Sequence, residues 1–129
     1  MACGWVCFRR SLVEEPGQVL RKLAIGDDAL LHRALADGSA DDIDWLEPKT
    51  RALVCIAALI AVDGCEASYL PAVDAARAAG STDEEIVACL LAALRVLGAA
   101  RVVSAAPKLG LALGYDVGAA LEDASSLAG

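Results

Sequence analysis

Apolar residues recur at helical spacing through most of the chain. The longest apolar run covers residues 52–62, and later segments place apolar side chains on single helix faces at steps of three and four residues. These faces are formed by Tyr69, Val73 and Ala76 in one segment and by Ile86, Leu90, Ala93 and Leu97 in the next. No segment alternates apolar and polar residues for long enough to indicate a β-strand. The pattern therefore predicts an all-α fold.

Residues that start and stop helices divide this pattern into segments. Pro48 suits the first turn of a helix, because its missing N–H would have no partner there, and Asp63-Gly64 ends that helix. The run STDEE over residues 81–85 is typical of a helix start, since a Ser or Thr cap can be reciprocated by a later Glu and acids favour the dipole. Gly80 and Gly98 mark helix ends. Three successive helices are predicted.

The N-terminal part of the chain shows a weaker pattern. Residues 1–17 have no sustained period and are expected to form a poorly ordered leader. Two short helices are predicted over residues 18–25 and 27–36, and the acidic stretch 37–44 has the composition of a solvated loop. We therefore expect the helical domain to begin near residue 18.

The C-terminal part continues the helical pattern as far as Gly114. Within this segment Pro107 is expected to produce a kink or a new helix start. Residues 116–121 are expected to add a last turn, and residues 122–129 to form a tail with nothing to hold it. The sequence thus predicts one helical domain over residues 18–121, a compact bundle of about six helices.

The composition supports a helical bundle that associates with itself. Apolar residues make up 57% of the chain but aromatic residues only 4%, so the core is built from small aliphatic side chains that let helices approach closely. The mean hydropathy of +0.53 is high for a small monomer. We expect some apolar surface to be buried between subunits of a homo-oligomer.

Charge and cysteine usage limit the partners and the compartment. The net charge of −7 makes nucleic acid a poor partner. The apolar run 52–62 is far shorter than the about 20 residues of a membrane-spanning helix. The N-terminus carries its arginines after a short apolar stretch, which is opposite to a secretory signal, and an odd number of cysteines fits reduced thiols. These features predict a cytoplasmic protein with no membrane partner.

One segment resembles a known family. Residues 46–80, LEPKTRALVCIAALIAVDGCEASYLPAVDAARAAG, followed at once by STDEEI, resemble the core of the carboxymuconolactone decarboxylase and alkylhydroperoxidase D-like family. The resemblance extends over about residues 20–120 and implies an alkylhydroperoxidase D-like helical subunit that assembles into trimers or hexamers. In the redox-active branch of the family, the corresponding helix opens with Gly-Cys-x-x-Cys-x-x-x-His. Registering Gly64-Cys65 on this motif places Ser68 at the second cysteine and Ala72 at the histidine.

In this register the chain lacks groups that the redox reaction of the family needs. The reaction uses a thiolate, a base, and a second thiol that resolves the sulfenic acid as a disulfide. Ser68 cannot form a disulfide and Ala72 cannot act as a base. The family's glutamate after the arginine is also missing, because Ala52 follows Arg51. The resemblance therefore implies a family member without peroxidase activity, and we expect it to use no cofactor.

The candidate catalytic residues are Cys65, Glu66 and Tyr69, at the start of the helix after Gly64. A helix N-terminus lowers the pKa of a thiol, whereas Glu66 beside it raises that pKa. Cys65 is therefore either a reactive thiol or an inert buried one. Tyr69 is either a proton donor or a core aromatic residue with its hydroxyl at the edge.

The candidate ligand-binding residues are Ser68, Arg95 and Arg101. The two guanidinium groups stand in apolar surroundings and need an anion. That anion is either a small anionic ligand or an internal carboxylate, for which Asp63, Glu66 and Asp116 are the candidates. Because helix N-terminal amides also favour negative charge, we expect any ligand site where residues 64–69 meet residues 95–101.

The remaining reactive residues carry weaker indications. His32, the single histidine, is expected to have a surface or packing role. Cys55 and Cys89 lie in apolar helix stripes and are expected to be core residues. Cys3 and Cys7 share a spacing that suits one helix face, but without two further ligands nearby we expect no metal site.

Three classes of function stay open at this point. The first is a small-molecule-binding or accessory protein with a pocket near Cys65, Ser68 and Tyr69. The second is a lyase or isomerase acting on a carboxylate-bearing metabolite. The third is a structural oligomer or a subunit for a partner protein. A polar cluster around an enclosed cavity would favour the first two, and exposed apolar patches on a filled core would favour the third.

Overall fold

The computed structural model of the chain describes residues 14–36 and 45–129. These residues contain seven α-helices and no β-strand. The helices are α1 (Pro16–Ala24), α2 (Asp28–Leu35), α3 (Pro48–Ala61), α4 (Glu66–Ala78), α5 (Asp83–Leu97), α6 (Ala99–Leu113) and α7 (Val117–Ala128). The predicted all-α fold class is therefore confirmed.

Most helix boundaries lie where the sequence signals place them. Pro48 occupies the first turn of α3. Thr82 caps α5 in a capping box, in which its side chain accepts from the Glu85 amide and the Glu85 side chain accepts from the Thr82 amide. These two contacts satisfy amide groups that a helix start otherwise leaves without partners. The sequence therefore encodes the start of α5 locally.

In the C-terminal part the structure excludes one of the two alternatives at Pro107 and extends the expected last turn. Pro107 does not start a new helix, because α6 passes through it as one helix. Its missing N–H costs one bond to the Val103 carbonyl, and Val103 is an exposed residue of the helix. The expected last turn is the full helix α7, whose first turn is capped by Asp116 accepting from the Ala119 amide. Residues 122–128 thus continue a capped helix.

The chain divides into two compact units, residues 1–46 and residues 47–129. In the described part of the first unit, Glu14 accepts from Lys22 at 2.9 Å and from Arg33 at 3.1 Å. Hydrogen bonds from these two cations hold the pKa of the Glu14 carboxyl below its ordinary value. Asp27 caps α2 by accepting from the Leu30 amide. The expected leader before residue 14 and the acidic loop over residues 37–44 lie outside the described residues.

The second unit contains the main hydrophobic core. Helix α3 contacts α4, α5 and α6, and α6 also packs against α4 and α5. The buried residues that these helices share are Ile56, Ile60, Tyr69, Val73, Ala76, Ile86, Leu90, Ala105, Leu109 and Leu113. The predicted stripes on α4 and α5 therefore supply part of this core. No helix in the described part is long and apolar enough to span a membrane.

Helices α3 and α5 run side by side in the same direction. Lys49 pairs with Glu85 at 2.7 Å near both helix starts, and the Cys89 thiol donates to the Leu53 carbonyl one turn further along. An apolar groove of about 450 Å³ lies between them. Burial raises the pKa of the Cys89 thiol, which is half-buried, whereas Cys55 is exposed. The prediction that Cys55 is a core residue is therefore wrong.

The apolar stripe of α5 is wider than its own unit covers. Ile86 and Leu90 are buried, but Val87, Leu91 and Leu94 on the neighbouring side are exposed. The width of this stripe predicts burial on two sides of the helix, and the subunit buries only one of them.

Candidate functional site

The candidate site begins at the tight turn between α3 and α4. Asp63 has a φ of 55°, the left-handed conformation that terminates many helices. The Asp63 amide donates to the Ile60 carbonyl at 3.3 Å, and the Gly64 amide donates to the Leu59 carbonyl at 2.9 Å. This pair of bonds is a Schellman motif with an aspartate in the position that glycine usually occupies. Aspartate tolerates the left-handed region better than most residues.

Polar side chains from α6 hold this turn. Asp63 Oδ1 accepts from Ser104 Oγ at 3.0 Å and from Lys108 Nζ at 2.9 Å. Lys108 also donates to the Gly64 carbonyl at 3.1 Å, and Arg101 forms an ion pair with Asp63 at 3.7 Å. The hydrogen bonds from Lys108 and Ser104 hold the pKa of the Asp63 carboxyl below its ordinary value. The turn therefore carries one ionised carboxylate facing two cations.

Sequence analysis missed Ser104 and Lys108, although a signal for them exists. Arg101, Ser104 and Lys108 stand at i, i+3 and i+7, which places them on one helix face. They are the only hydrogen-bonding side chains in the sequence AARVVSAAPKLGLAL of α6. A polar stripe on an otherwise apolar helix indicates a polar partner, and Asp63 is that partner.

Cys65 lies immediately after this turn and is the N-cap residue of α4. Its Sγ atom is 3.2 Å from Ser68 Oγ, and the thiol is exposed. The Ser68 hydroxyl, followed by the backbone amides of Ser68 and Ala67, lowers the pKa of the Cys65 thiol. The alternative of an inert buried cysteine is therefore excluded by exposure. The structure brings Cys65 and Ser68 together as a thiol and its hydrogen-bond partner.

Tyr69 lies one turn further along α4 and is fully buried. Among the described residues its hydroxyl has no hydrogen-bond partner. Burial raises the pKa of the Tyr69 phenol, while the Lys108 charge lowers it and the Asp63 charge raises it. The hydroxyl is thus within electrostatic reach of the Asp63 turn. A buried polar atom without a partner is rare, and its explanation is a catalytic role, local strain or a bound water or ion.

The other predicted site residues lie at the edge of this cluster or apart from it. Glu66 is exposed in the first turn of α4 and lines an open groove of about 400 Å³ with Ala67, Leu70, Leu111 and Ala112. Arg101 pairs with Asp63, which is the internal carboxylate considered above. Arg95 is exposed on α5, and no hydrogen bond or ion pair joins it to the turn in the described part of the chain.

The remaining candidates do not add to the site. His32 is exposed on α2. Tyr115 is exposed, and its hydroxyl donates to Asp83 at 3.3 Å. No group of three or more metal-ligating side chains occurs within residues 14–36 and 45–129. Cys3 and Cys7 lie outside the described residues.

The all-α fold agrees with a match to one known family. A family model described as the carboxymuconolactone decarboxylase family matches residues 28–109. Because this match covers more than half of the sequence, the chain belongs to the carboxymuconolactone decarboxylase family. No curated protein and no solved structure shows significant similarity to the chain. The matched range contains the whole cluster around the turn.

The two described thiols with altered pKa values predict different pH profiles for alkylation. Only the thiolate reacts, so Cys65 is expected to reach half its maximal rate with iodoacetamide at lower pH than Cys89. Ser68→Ala removes the largest cause of the lowered pKa and should move the Cys65 midpoint upward. Ser126→Ala, which alters an exposed serine bonded only to the Asp123 carbonyl, serves as control. Peptide-resolved mass spectrometry separates the sites, and a Cys65 midpoint at or above that of Cys89 would contradict the assignment.

Proposed function

We propose that the chain is a homo-oligomeric, small-molecule-binding or accessory protein of its family, in which Cys65 is the reactive group and peroxidase turnover is absent. The observation that carries this proposal is the exposed Cys65 thiol with a lowered pKa, held 3.2 Å from Ser68 Oγ beside the Asp63 turn. Accessible low-pKa thiols are the ones that react with small molecules.

The same geometry supports the absence of a peroxidase cycle. A sulfenic acid on Cys65 needs a second thiol to resolve it as a disulfide. The side chain in hydrogen-bond reach is the Ser68 hydroxyl, which has no sulfur to contribute. The described cysteines Cys55, Cys65 and Cys89 are all free thiols. One oxidation of Cys65 can occur, but the next step lacks its partner within the site.

This proposal predicts stoichiometric oxidation without turnover. With cumene hydroperoxide and no added thiol, we expect about one equivalent of peroxide to be consumed rapidly at Cys65, because the site offers no second thiol to resolve the sulfenic acid. Cys65→Ser should remove that equivalent, whereas Cys55→Ser, which changes another exposed thiol, should leave it unchanged. Peroxide loss and intact-protein mass provide the measurements. Sustained turnover after a thiol reductant is added, abolished by Cys65→Ser, would refute the absence of peroxidase activity.

The charges at the turn favour an anionic ligand. Arg101 and Lys108 share the single carboxylate of Asp63, so the three groups together carry a net positive charge. The neighbouring groove adds the apolar side chains of Leu70 and Leu111, and its one charged lining residue is the exposed Glu66. A small carboxylate with an apolar part fits this combination of charge and surface.

Two alkylating reagents of similar size test the preference for anions. Iodoacetate carries a carboxylate and iodoacetamide is neutral, so their rate ratio reports the local electrostatic potential at a thiol. We expect this ratio to be higher at Cys65 than at Cys55, and to fall in Arg101→Gln. Raising the salt concentration should reduce the difference. A lower ratio at Cys65 than at Cys55 would contradict the anionic preference.

Self-association is the second part of the proposal. Exposed apolar residues on α3 and α5, including Val54, Val62, Leu91 and Val96, support burial between subunits. The resemblance implies trimers or hexamers, and a cytoplasmic location remains part of the proposal. Exposed apolar patches on a filled core also favour a structural oligomer. The polar cluster at Asp63 instead supports ligand binding.

A further inference from the structure

We propose that two copies of this chain associate through α5, which packs antiparallel against α5 of the second copy about a two-fold axis. This inference deepens the self-association proposed above by naming its surface, and it does not depend on the thiol site. The surface is the α5 stripe, defined by Glu84, Ala88, Leu91 and Arg95. These residues stand at i, i+4, i+7 and i+11, so they share one face of the helix.

The α5 stripe is apolar at its centre and flanked by further apolar residues. Leu91 is 66% exposed, and Ala88 and Ala92 beside it are also exposed. A depression of about 290 Å³ lies along one side, lined by Val87, Ala88, Leu91 and Tyr115 and, at its acidic end, by Asp83 and Glu84. Exposed Val96 and Val54 continue the apolar surface on the other side. A contiguous apolar surface of this kind indicates a protein contact.

The distribution of charge on the α5 stripe indicates that the partner is a second copy of this chain. Glu84 stands at one end of the stripe and Arg95 at the other, about 16 Å apart along the helix. Neither forms an ion pair within the described part of its own chain. In an antiparallel pair with residue 84 opposite residue 95, each glutamate meets an arginine of the other copy. A two-fold axis produces this contact twice.

The same register also matches the shapes of the side chains. With residue 84 opposite residue 95, Ala88 lies opposite Leu91 of the other copy. A small residue then faces a large one, and the leucine can enter the depression beside Ala88 and Tyr115. Alanines at the crossing point let two helices approach closely. One antiparallel arrangement of two identical helices therefore places opposite charges together and a large side chain against a small one.

The first experiment compares two exposed leucines on helices of equal length. Light scattering of the full chain at micromolar concentration should give an even number of 13.2 kDa subunits. Leu91→Asp should reduce the mass by separating the α5 pair. Leu111→Asp, which changes a leucine 54% exposed on α6, should leave the mass unchanged. Circular dichroism checks that both variants keep their helical content.

The second experiment reverses the charges at the two ends of the α5 stripe. Glu84→Arg and Arg95→Glu each place like charges together twice in the proposed pair, and each should weaken association roughly tenfold to a hundredfold. The double variant should restore association, because opposite charges face each other again. Within one chain the two residues are too far apart to compensate. The double variant also loses both favourable interactions with the helix dipole, so rescue cannot arise from a more stable subunit.

Each outcome of these experiments bears on the proposal. Restored association in the double variant supports the antiparallel pair, and association as weak as in the single variants overturns it. An oligomer whose mass survives Leu91→Asp uses another surface, which overturns the α5 pair while self-association stands. A closed trimer has no two-fold axis and overturns it likewise. A wild-type monomer overturns both self-association and the α5 pair.

Discussion

Ile56→Ala is expected to lower the free energy of unfolding by about 3 kcal/mol. Ile56 is fully buried at the middle of α3, the helix that contacts α4, α5 and α6. Truncation removes the transfer free energy of the lost methyl and methylene groups and leaves a cavity that the three neighbouring helices fill only in part. Chemical denaturation of the wild type and the variant at one protein concentration measures the difference.

Val54→Ala is the matched control for this prediction. Val54 is β-branched like Ile56 and lies on the same helix, but it is 52% exposed. Both substitutions replace a β-branched residue with alanine and therefore raise helix propensity to a similar extent. The difference between their effects on the free energy of unfolding then reports the burial of Ile56. We expect Val54→Ala to change the free energy of unfolding of the separated subunit by about 0.5 kcal/mol or less, so both variants are compared at a protein concentration low enough to dissociate the oligomer. Equal effects at the two positions would mean that α3 is not the centre of the core.

The helices could be predicted where their signals are local. The capping box of α5, the proline in the first turn of α3 and the break at Asp63-Gly64 depend on neighbouring residues, and all three are present in the structure. The effect of Pro107 on α6 could not be predicted from neighbouring residues. Its effect depends on whether the Val103 carbonyl can reach water, and this is a property of the packed surface.

The candidate site was only partly predictable for a similar reason. Cys65 and Ser68 are three residues apart on one helix, so their contact follows from helix geometry. Asp63 and Lys108 are 45 residues apart and meet because α4 packs against α6. Arg95 and Arg101 look equivalent in the sequence. Packing directs Arg101 toward Asp63 and leaves Arg95 exposed on α5.

Exposure on α5 also could not be inferred from apolar periodicity alone. Leu90 and Leu91 are adjacent and chemically identical, yet Leu90 is buried and Leu91 is exposed. The apolar periodicity of α5 indicates only that both sides of the helix favour apolar surroundings. The structure shows that α3 and α6 supply those surroundings on one side, and the proposed second copy would supply them on the other.

Tyr69→Phe is expected to raise the free energy of unfolding by about 1–2 kcal/mol. The Tyr69 ring fills a fully buried position, and its hydroxyl has no hydrogen-bond partner among the described residues. A buried polar group without a partner costs about 1–3 kcal/mol in lost hydration, and phenylalanine keeps the ring while removing that group. Thermal and chemical unfolding of the two proteins measure the gain.

Tyr115→Phe provides the control for Tyr69→Phe and shows what a stabilising result would mean. The Tyr115 hydroxyl is exposed and bonded to Asp83, so its removal should be neutral or slightly destabilising. If Tyr69→Phe is stabilising, the hydroxyl costs the fold free energy, as expected for a group that serves a ligand near Asp63 and Lys108. A loss of stability in Tyr69→Phe would instead show that the hydroxyl is already satisfied, and Tyr69 would then have only a structural role in the core.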